Sequence, residues 1–262
     1  MKVYSRPPYP DMHYDYILVN AFSEETLRYV KRGVRSVIVD SGVHSVFHTL
    51  KLKEYPGGYQ HWVGRVVRVW RYVSRLVPES YAVVPDYPSD YVGNEIEDNV
   101  ERTLRNIEYA TTKYPDVNWI IPLQGKRDDV SSVLKSLDYV QETGLVERYG
   151  YVAIAPTCTT RSVKFLADVA HAVWKRVRAL EGHGVSVKVH MFGVTTRAWK
   201  RIAHYVDSVD TIITNYMCLE LIGKMCTRRA EKEMAWQAFL ERVGRVYTHV
   251  PVTIDSFLMH DT

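Results

Sequence analysis

The sequence lacks any uncharged apolar run of about 18 residues, the shortest stretch usually considered for a membrane-spanning helix. Residues 1–10 are polar and rich in proline and tyrosine, so they contain no apolar core of a secretory signal. Glycine is missing where a dinucleotide-binding sheet needs it, because the first apolar run is followed by Ala21-Phe22-Ser23. We therefore expect a soluble, cytoplasmic protein with no membrane partner and no Gly-rich phosphate loop.

Cysteine is scarce, with only Cys158, Cys218 and Cys226 in the chain. This odd number and wide spacing predict neither a disulfide framework nor a paired-cysteine metal knuckle, so we expect reduced thiols. Cys218 and Cys226 could in principle join His249 and His260 around zinc. Structural zinc sites, however, usually contain ligand pairs about two to four residues apart, which this set lacks. We therefore expect no metal and no cofactor.

Length and composition favour one large domain. The chain has 262 residues, of which 46% are hydrophobic, and about 250 residues is typical of one α/β barrel. No repeat or low-complexity linker divides it, so we predict a single domain over 1–262, with an N-terminal extension at 1–15 and a C-terminal helix and tail at 216–262. The net charge of +4 allows a polyanionic partner without requiring one, and a homodimer is left open.

Short apolar runs alternate with amphipathic stretches along most of the chain, which is the pattern of a parallel sheet covered by helices. The runs predict strands at 16–20, 35–40, 81–85, 119–123, 151–155, 187–192 and 209–214. Residues 245–254 are consistent with either an eighth strand or a closing tail. This number of units favours a closed (β/α)8 TIM-type barrel over an open doubly wound sheet, with an irregular last unit allowed.

Polar residues recur where the predicted strands end. In a barrel these ends converge on one mouth, so side chains from distant parts of the sequence can contact one ligand there. Any single one of them could instead cap a helix or make a turn. The residues concerned are Asn20, Asp40, Ser41, Asp86, Gln124, Gly125, Thr157, His190, Gly193, Asp210 and Asn215.

Five of these strand ends resemble, in the same order, segments of the queuine tRNA-ribosyltransferases and their DNA-modifying relatives. VDSGVHS at 39–45 is similar to the Asp-Ser-Gly segment of that family, and VVPDYPSD at 83–90 is similar to the segment that carries its base-recognising aspartate. IIPLQGK at 120–126 resembles its Gln-Gly turn, while YVAIAPT at 151–157 and VHMFGVT at 189–195 resemble two later strands. The resemblance spans roughly 17–215 and is closest to the enzymes that insert 7-deazaguanines into DNA.

The resemblance implies a transglycosylase that removes guanine from DNA or tRNA through a covalent sugar–enzyme intermediate and installs a 7-deazaguanine base. Asp40 matches the carboxylate that handles protons, and Asp86 and Gln124 match residues that read the base edge. Gly125 would allow the base to approach the backbone. Ser41, Gly42, His44, Gly193 and Asn215 complete the expected substrate-binding residues, with His44 and Asn215 included for their expected place at the mouth.

The nucleophile is the main departure from the family pattern. The tRNA enzymes have a Phe-Asp pattern after the seventh strand, and Ile213 occupies that position in this chain. The DNA-modifying relatives instead have a Ser-Val-Asp-Ser-like pattern, and SVDT at 208–211 is similar to it. We therefore predict Asp210 as the nucleophile, with Asp207 interpreted as a helix-end residue and loss of catalysis left open.

Basic residues could bind the phosphates of a polynucleotide, although a solvated helix face is the simpler interpretation of such a pattern. The candidates are Arg65, Arg68, Arg71, Arg75, Lys224, Arg228 and Arg229. Two other function classes stay open: a catalytically silent barrel that binds nucleic acid or a nucleobase, and an unrelated TIM-barrel hydrolase or aldolase.

Overall fold

The computed structural model describes residues 1–88, 96–158, 160, 162–181, 184–211 and 214–248, without the side chains of residues 96, 97, 214–216, 247 and 248. Within this part of the chain, eight parallel strands form one sheet. They are β1 Lys2–Tyr4, β2 Tyr16–Asn20, β3 Ser36–Asp40, β4 Ser80–Val83, β5 Trp119–Leu123, β6 Tyr151–Ile154, β7 Lys188–Met191 and β8 Ser208–Asp210.

The strand order β1-β8-β7-β6-β5-β4-β3-β2 bends the sheet into a nearly closed barrel. Its two edges meet through Ser5, whose N–H donates to the Tyr16 carbonyl and whose carbonyl accepts from the Leu18 N–H, both at 3.0 Å. The order is that of a (β/α)8 TIM-type barrel, so the predicted fold class is confirmed.

Helices lie between the strands and cover the outside of the barrel. They are α1 Gly58–Ser74, α2 Ile96–Lys113, α3 Val130–Glu142, α4 Leu145–Tyr149, α5 Val163–Glu181, α6 Thr196–Ile202, α7 Thr214–Ile222 and α8 Arg229–Thr248. A 3-10 helix at Glu24–Tyr29 and a π-helix at His44–Thr49 follow β2 and β3. No helix in the described ranges is long and apolar enough to cross a membrane.

Each strand divides its side chains between the helices and the barrel interior, because successive residues of a strand point to opposite faces. All five residues of β5 are buried, as expected of a strand covered on both faces. An interior cluster contains Tyr4, Ile38, Val83, Ile120, Tyr151 and Ala153. The alternation then carries Asp40, two residues after Ile38, to the inner side of the mouth.

The structure differs from the sequence expectations at both ends of the chain. Lys2–Tyr4 lies in the stretch expected to be an extension, yet it forms β1 and pairs with β8, with Tyr4 opposite Asp210. Residues 245–248, considered for an eighth strand, belong instead to α8, and 249–254 lie outside the described residues. A three-residue strand has too little sequence to show periodicity, and its pairing with β8 defines it.

The expectation of reduced thiols is wrong for two of the three cysteines. Cys218 on α7 and Cys226 form a disulfide, with their Cα atoms 5.5 Å apart. The helix ends at Ile222, and Gly223 adopts a positive φ of 69°, which turns the chain back toward the helix. Cys158 is not part of a disulfide, and it is exposed.

Candidate functional site

Asp40 ends β3 at the C-terminal mouth of the barrel, and the turn after it is built around Gly42. This glycine has a positive φ of 82°, and a Cβ there would come within 2.8 Å of Asn20 Oδ1. The turn is fixed from outside by Trp62, whose indole N–H donates to the Ser41 carbonyl at 2.8 Å. The backbone N–H groups of Gly42 and Ser41 lie close enough to the Asp40 carboxyl group to lower its pKa.

The environment of Asp40 makes it unusually basic for a carboxylate. Burial raises its pKa, and the negative charges of Asp210 and Asp86 raise it further, to about 7 from an ordinary value of 3.8. The backbone N–H groups of Gly42 and Ser41 oppose this rise. Because repulsion between charges falls with distance, this coupling indicates that the three carboxylates share one region of the mouth. A carboxyl group with such a pKa can donate and accept protons near neutral pH.

Asp86 and Gln124 form a buried polar pair at the ends of β4 and β5. Gln124 donates from Nε2 to Asp86 Oδ2, and Tyr55 fixes the backbone here by donating to the Asp86 carbonyl at 2.6 Å. Gln124 is fully buried, and within the described part of the chain its Oε1 accepts no hydrogen bond. A buried acceptor without a donor is costly, so this oxygen is suited to a ligand that brings an N–H group.

Asp210 ends β8, and the side-chain hydrogen bonds it makes with other described residues all involve Oδ1. Its Oδ1 accepts from the Gly193 backbone N–H at 3.0 Å and contacts His190 Nε2 at 3.1 Å. Gly193 has a positive φ of 58°, and a Cβ there would lie 2.6 Å from Cys158 Sγ. The turn after β7 thus requires glycine for both its backbone angle and its packing. This arrangement leaves Oδ2 as the oxygen that could attack an electrophile.

Asp207, the other aspartate of this segment, lies at the opposite end of β8. Its Oδ2 accepts from the Val189 N–H at 2.8 Å and lies 3.5 Å from an Arg178 guanidinium nitrogen. Asp207 therefore stabilises the N-terminal end of the barrel, and of the two aspartates only Asp210 lies at the mouth. Residue 213, the alternative position for a nucleophile, lies outside the described residues.

His190 and Ser208 are buried residues behind Asp210 that the sequence interpretation left without a role. His190 Nδ1 lies 2.7 Å from Ser208 Oγ, which in turn lies 2.6 Å from the Tyr151 hydroxyl. The signal for Ser208 was its position two residues before Asp210, which puts both side chains on one strand face. Tyr151 could be recognised only from the packing of β6 beside β7.

Of the remaining predicted substrate-binding residues, some are packed inside the protein and one is exposed. Close packing explains the glycine at position 125, since a Cβ there would lie 2.6 Å from Ser132 Oγ and 2.8 Å from the Val133 nitrogen at the start of α3. Ser41 is buried beneath the mouth. His44 is exposed, and its ring stacks on His48 with centroids 4.5 Å apart. The side chain of Asn215 lies outside the described residues.

Several of the basic residues considered for phosphate binding have partners within the protein. Arg65 donates to the carbonyls of Ala21 and Phe22 at 2.7 and 3.2 Å. Arg71 pairs with Asp116, and Arg229 pairs with Asp11 and Glu233. Arg68 on α1 and Arg75, directly after this helix, are exposed. These arginines are therefore partly structural, and those of α1 lie on the outside of the barrel.

Metal binding and cavities add little to the site. No group of three or more potential ligands is arranged to hold a metal ion in the described ranges, and His249 and His260 lie outside them. The absence of a metal stays a prediction. A cavity of about 170 Å³ is lined by residues that include Tyr87 and Arg102, and a second, of about 240 Å³, by residues that include Lys188 and Ser208. None of the three mouth carboxylates lines either cavity. The electrostatic coupling of the carboxylates, and not cavity size, therefore identifies the candidate site.

No protein-family model matches the sequence, and a comparison with curated proteins finds no match. A functional interpretation of this barrel therefore depends on its own residues and their geometry.

Proposed function

We propose that this protein is a base-exchanging transglycosylase that replaces guanine in a polynucleotide, DNA or tRNA, with a 7-deazaguanine derivative. The observation that carries the proposal is the unequal environment of two neighbouring carboxylates at one mouth. Asp40 has its pKa raised to about 7, whereas Asp210 is held by two hydrogen-bond contacts at one oxygen. Two carboxylates in different environments can divide the roles of proton carrier and nucleophile.

In the proposed reaction Asp210 is the nucleophile. Its Oδ2 attacks the anomeric carbon of the sugar, and the glycosidic carbon–nitrogen bond breaks with its electron pair leaving on the departing base. Asp40, protonated near neutral pH, gives that base a proton. The incoming base then loses a proton to Asp40 and attacks the anomeric carbon, which expels Asp210 and restores both carboxyl groups.

The pair of Asp86 and Gln124 supports recognition of a purine-like base. A carboxylate accepts hydrogen bonds from ring N–H and amino groups, and an amide oxygen accepts one more. Gln124 already donates from Nε2 to Asp86, and its Oε1 accepts no hydrogen bond from the described residues, so Oε1 is the atom available to a base N–H. Guanine and 7-deazaguanine share these donors, which fits a site that releases one base and accepts the other.

The test is to incubate the protein with labelled DNA or tRNA and 7-deazaguanine bases, followed by denaturing gels and nucleoside analysis. Asp210→Asn should abolish both the covalent adduct and base exchange. Asp207→Asn is the matched control, because the amide oxygen can still accept from the Val189 N–H at the far end of the same strand. It should retain exchange.

The outcomes separate the roles of the carboxylates. Asp40→Asn should stop turnover and still allow some adduct when the leaving base is a good one, because only proton transfer is lost. Full exchange by Asp210→Asn would refute the nucleophile assignment. An inactive wild-type protein on every DNA and tRNA tried would refute the transglycosylase proposal and favour the silent binding barrel.

A further inference from the structure

Four side chains form a continuous chain of hydrogen-bond contacts inside the barrel. The Tyr151 hydroxyl lies 2.6 Å from Ser208 Oγ, Ser208 Oγ lies 2.7 Å from His190 Nδ1, and His190 Nε2 lies 3.1 Å from Asp210 Oδ1. Tyr151 and Ser208 begin their strands, whereas Asp210 ends β8. The chain therefore runs from the N-terminal part of the barrel to the mouth, and Tyr151, Ser208 and His190 are buried.

When the His190 ring is neutral, the carboxylate at the end of this chain sets the direction of every hydrogen bond in it. An ionised carboxylate can only accept, so His190 must donate from Nε2 to Asp210. A ring with its single proton on Nε2 accepts at Nδ1, so the Ser208 hydroxyl donates there. Its oxygen then accepts from Tyr151, and burial raises the pKa of the Tyr151 hydroxyl well above its usual range, so it stays a donor. Each group donates to the next, toward the mouth.

We propose that His190 is a positioning residue for Asp210, and that Ser208 and Tyr151 hold its ring in the form protonated at Nε2. Together with the Gly193 N–H, His190 fixes Oδ1 of Asp210 and so orients Oδ2 for attack. The catalytic consequence rests on the proposed transglycosylase function. The protonation of the ring does not, because the proposed tautomer is that of a neutral ring beside an ionised Asp210, whatever reaction the site catalyses.

The barrel contains a matched control pair. The Tyr4 hydroxyl lies 2.7 Å from Ser36 Oγ, and both residues are fully buried. The next inward residue of β3 is Ile38, which belongs to the apolar interior cluster. At the position that corresponds to His190, this second tyrosine–serine pair therefore meets an apolar side chain. Removing the Ser36 hydroxyl therefore deletes the same kind of hydrogen bond without removing a hydrogen bond of His190, whose ring has only an edge contact with the Tyr4 ring, at 6.2 Å between centroids.

The first experiment determines which nitrogen of the His190 ring carries the proton, and it does not require enzymatic activity. Nitrogen-15 NMR of the full chain, with the His190 signal identified by its loss in His190→Gln, should show the proton on Nε2. Ser208→Ala should add a population protonated at Nδ1, and Ser36→Ala should not. A wild-type ring protonated at Nδ1 would overturn the proposal. An unchanged ring in Ser208→Ala would overturn the part assigned to Ser208.

The second experiment measures the rate of adduct formation with a labelled polynucleotide. Ser208→Ala should slow it by about 10- to 100-fold, since a small misplacement of a reacting group is enough for such a loss, while Ser36→Ala changes it by less than about 2-fold. His190→Gln should retain more activity than His190→Asn, because a glutamine amide reaches as far as Nε2 and an asparagine amide only as far as Nδ1. Equal rates in the two serine variants, or in the two histidine variants, would overturn the positioning role. Absence of any adduct in wild type would instead refute the proposed function and leave the NMR result to decide the state of the ring.

Discussion

The backbone N–H of Gly193 donates a 3.0 Å hydrogen bond to Oδ1 of Asp210. The turn after β7 thus holds the carboxylate that ends β8, although the two residues come from different strands. The turn itself packs on Cys158, which follows β6. Three consecutive units of the barrel therefore meet at this one carboxylate, and its orientation depends on how closely they pack.

Gly193→Ala tests this packing. The variant should lose about 1–3 kcal/mol of unfolding free energy, because alanine is strained at a φ of 58° and its Cβ would lie 2.6 Å from Cys158 Sγ. Gly184→Ala is the control, with a similar positive φ of 81° and open space around the added Cβ. It should lose only about 1 kcal/mol. Urea unfolding measures both, and equal losses would show that the contact with Cys158 is unimportant.

Asp40 should make stability depend on pH. Its pKa in the folded protein is raised to about 7 from an ordinary 3.8, so the folded state binds this proton more tightly than the unfolded chain does. Stability therefore falls as the pH rises from about 4 to 7, and the loss is complete above about 7. Asp40→Asn cannot ionise and should be more stable than wild type at pH 8 by on the order of 1–3 kcal/mol, with a much smaller gain at pH 4.5.

Asp116→Asn serves as the control for this pH dependence, because Asp116 is an exposed surface carboxylate. Urea unfolding at both pH values should show little difference between this variant and wild type. An Asp40→Asn variant with the same stability change at pH 4.5 and pH 8 would contradict the raised pKa of Asp40.

Two substitutions of Asp86 should separate stability from recognition. Asp86→Ala leaves Gln124 Nε2 without its acceptor inside the protein, which should cost about 1–3 kcal/mol of unfolding free energy. Asp86→Asn retains an amide oxygen for Gln124 and should lose less. Both remove the carboxylate, so both should raise the KM for the base by roughly tenfold or more. An unchanged KM in both would remove Asp86 from base recognition.

The disulfide can be tested by counting thiols. Protein denatured without reductant should expose one reactive thiol, that of Cys158, and all three after reduction. Cys218→Ser should lower the unfolding free energy by about 2–3 kcal/mol, as expected for a short closed loop, and Cys158→Ser should change it little. Three reactive thiols before reduction would contradict the pairing of Cys218 with Cys226.

The sequence by itself determined the barrel class and seven of the strand regions, because apolar runs and helical periodicity are local patterns. It also indicated that Asp40, Asp86 and Gln124 lie at strand ends, since a strand end can be recognised where an apolar run stops. Asp210 was expected at the mouth, but the predicted strand at 209–214 continued past it, and the structure ends β8 at Asp210. The catalytic roles of these residues remain predictions. The sequence did not predict strand β1, because three residues are too few to show a periodic pattern.

Only the tertiary structure decided how these residues act on one another. The raised pKa of Asp40 depends on the charges of Asp86 and Asp210, which lie far from it in sequence. The link from Tyr151 through Ser208 to His190 depends on the pairing of β6, β7 and β8, in which Ala153 lies opposite His190 and His190 opposite Ser208. Local patterns specify which face of a strand a side chain takes. The neighbour it meets there is set by the register between strands, which the packing of the whole barrel determines.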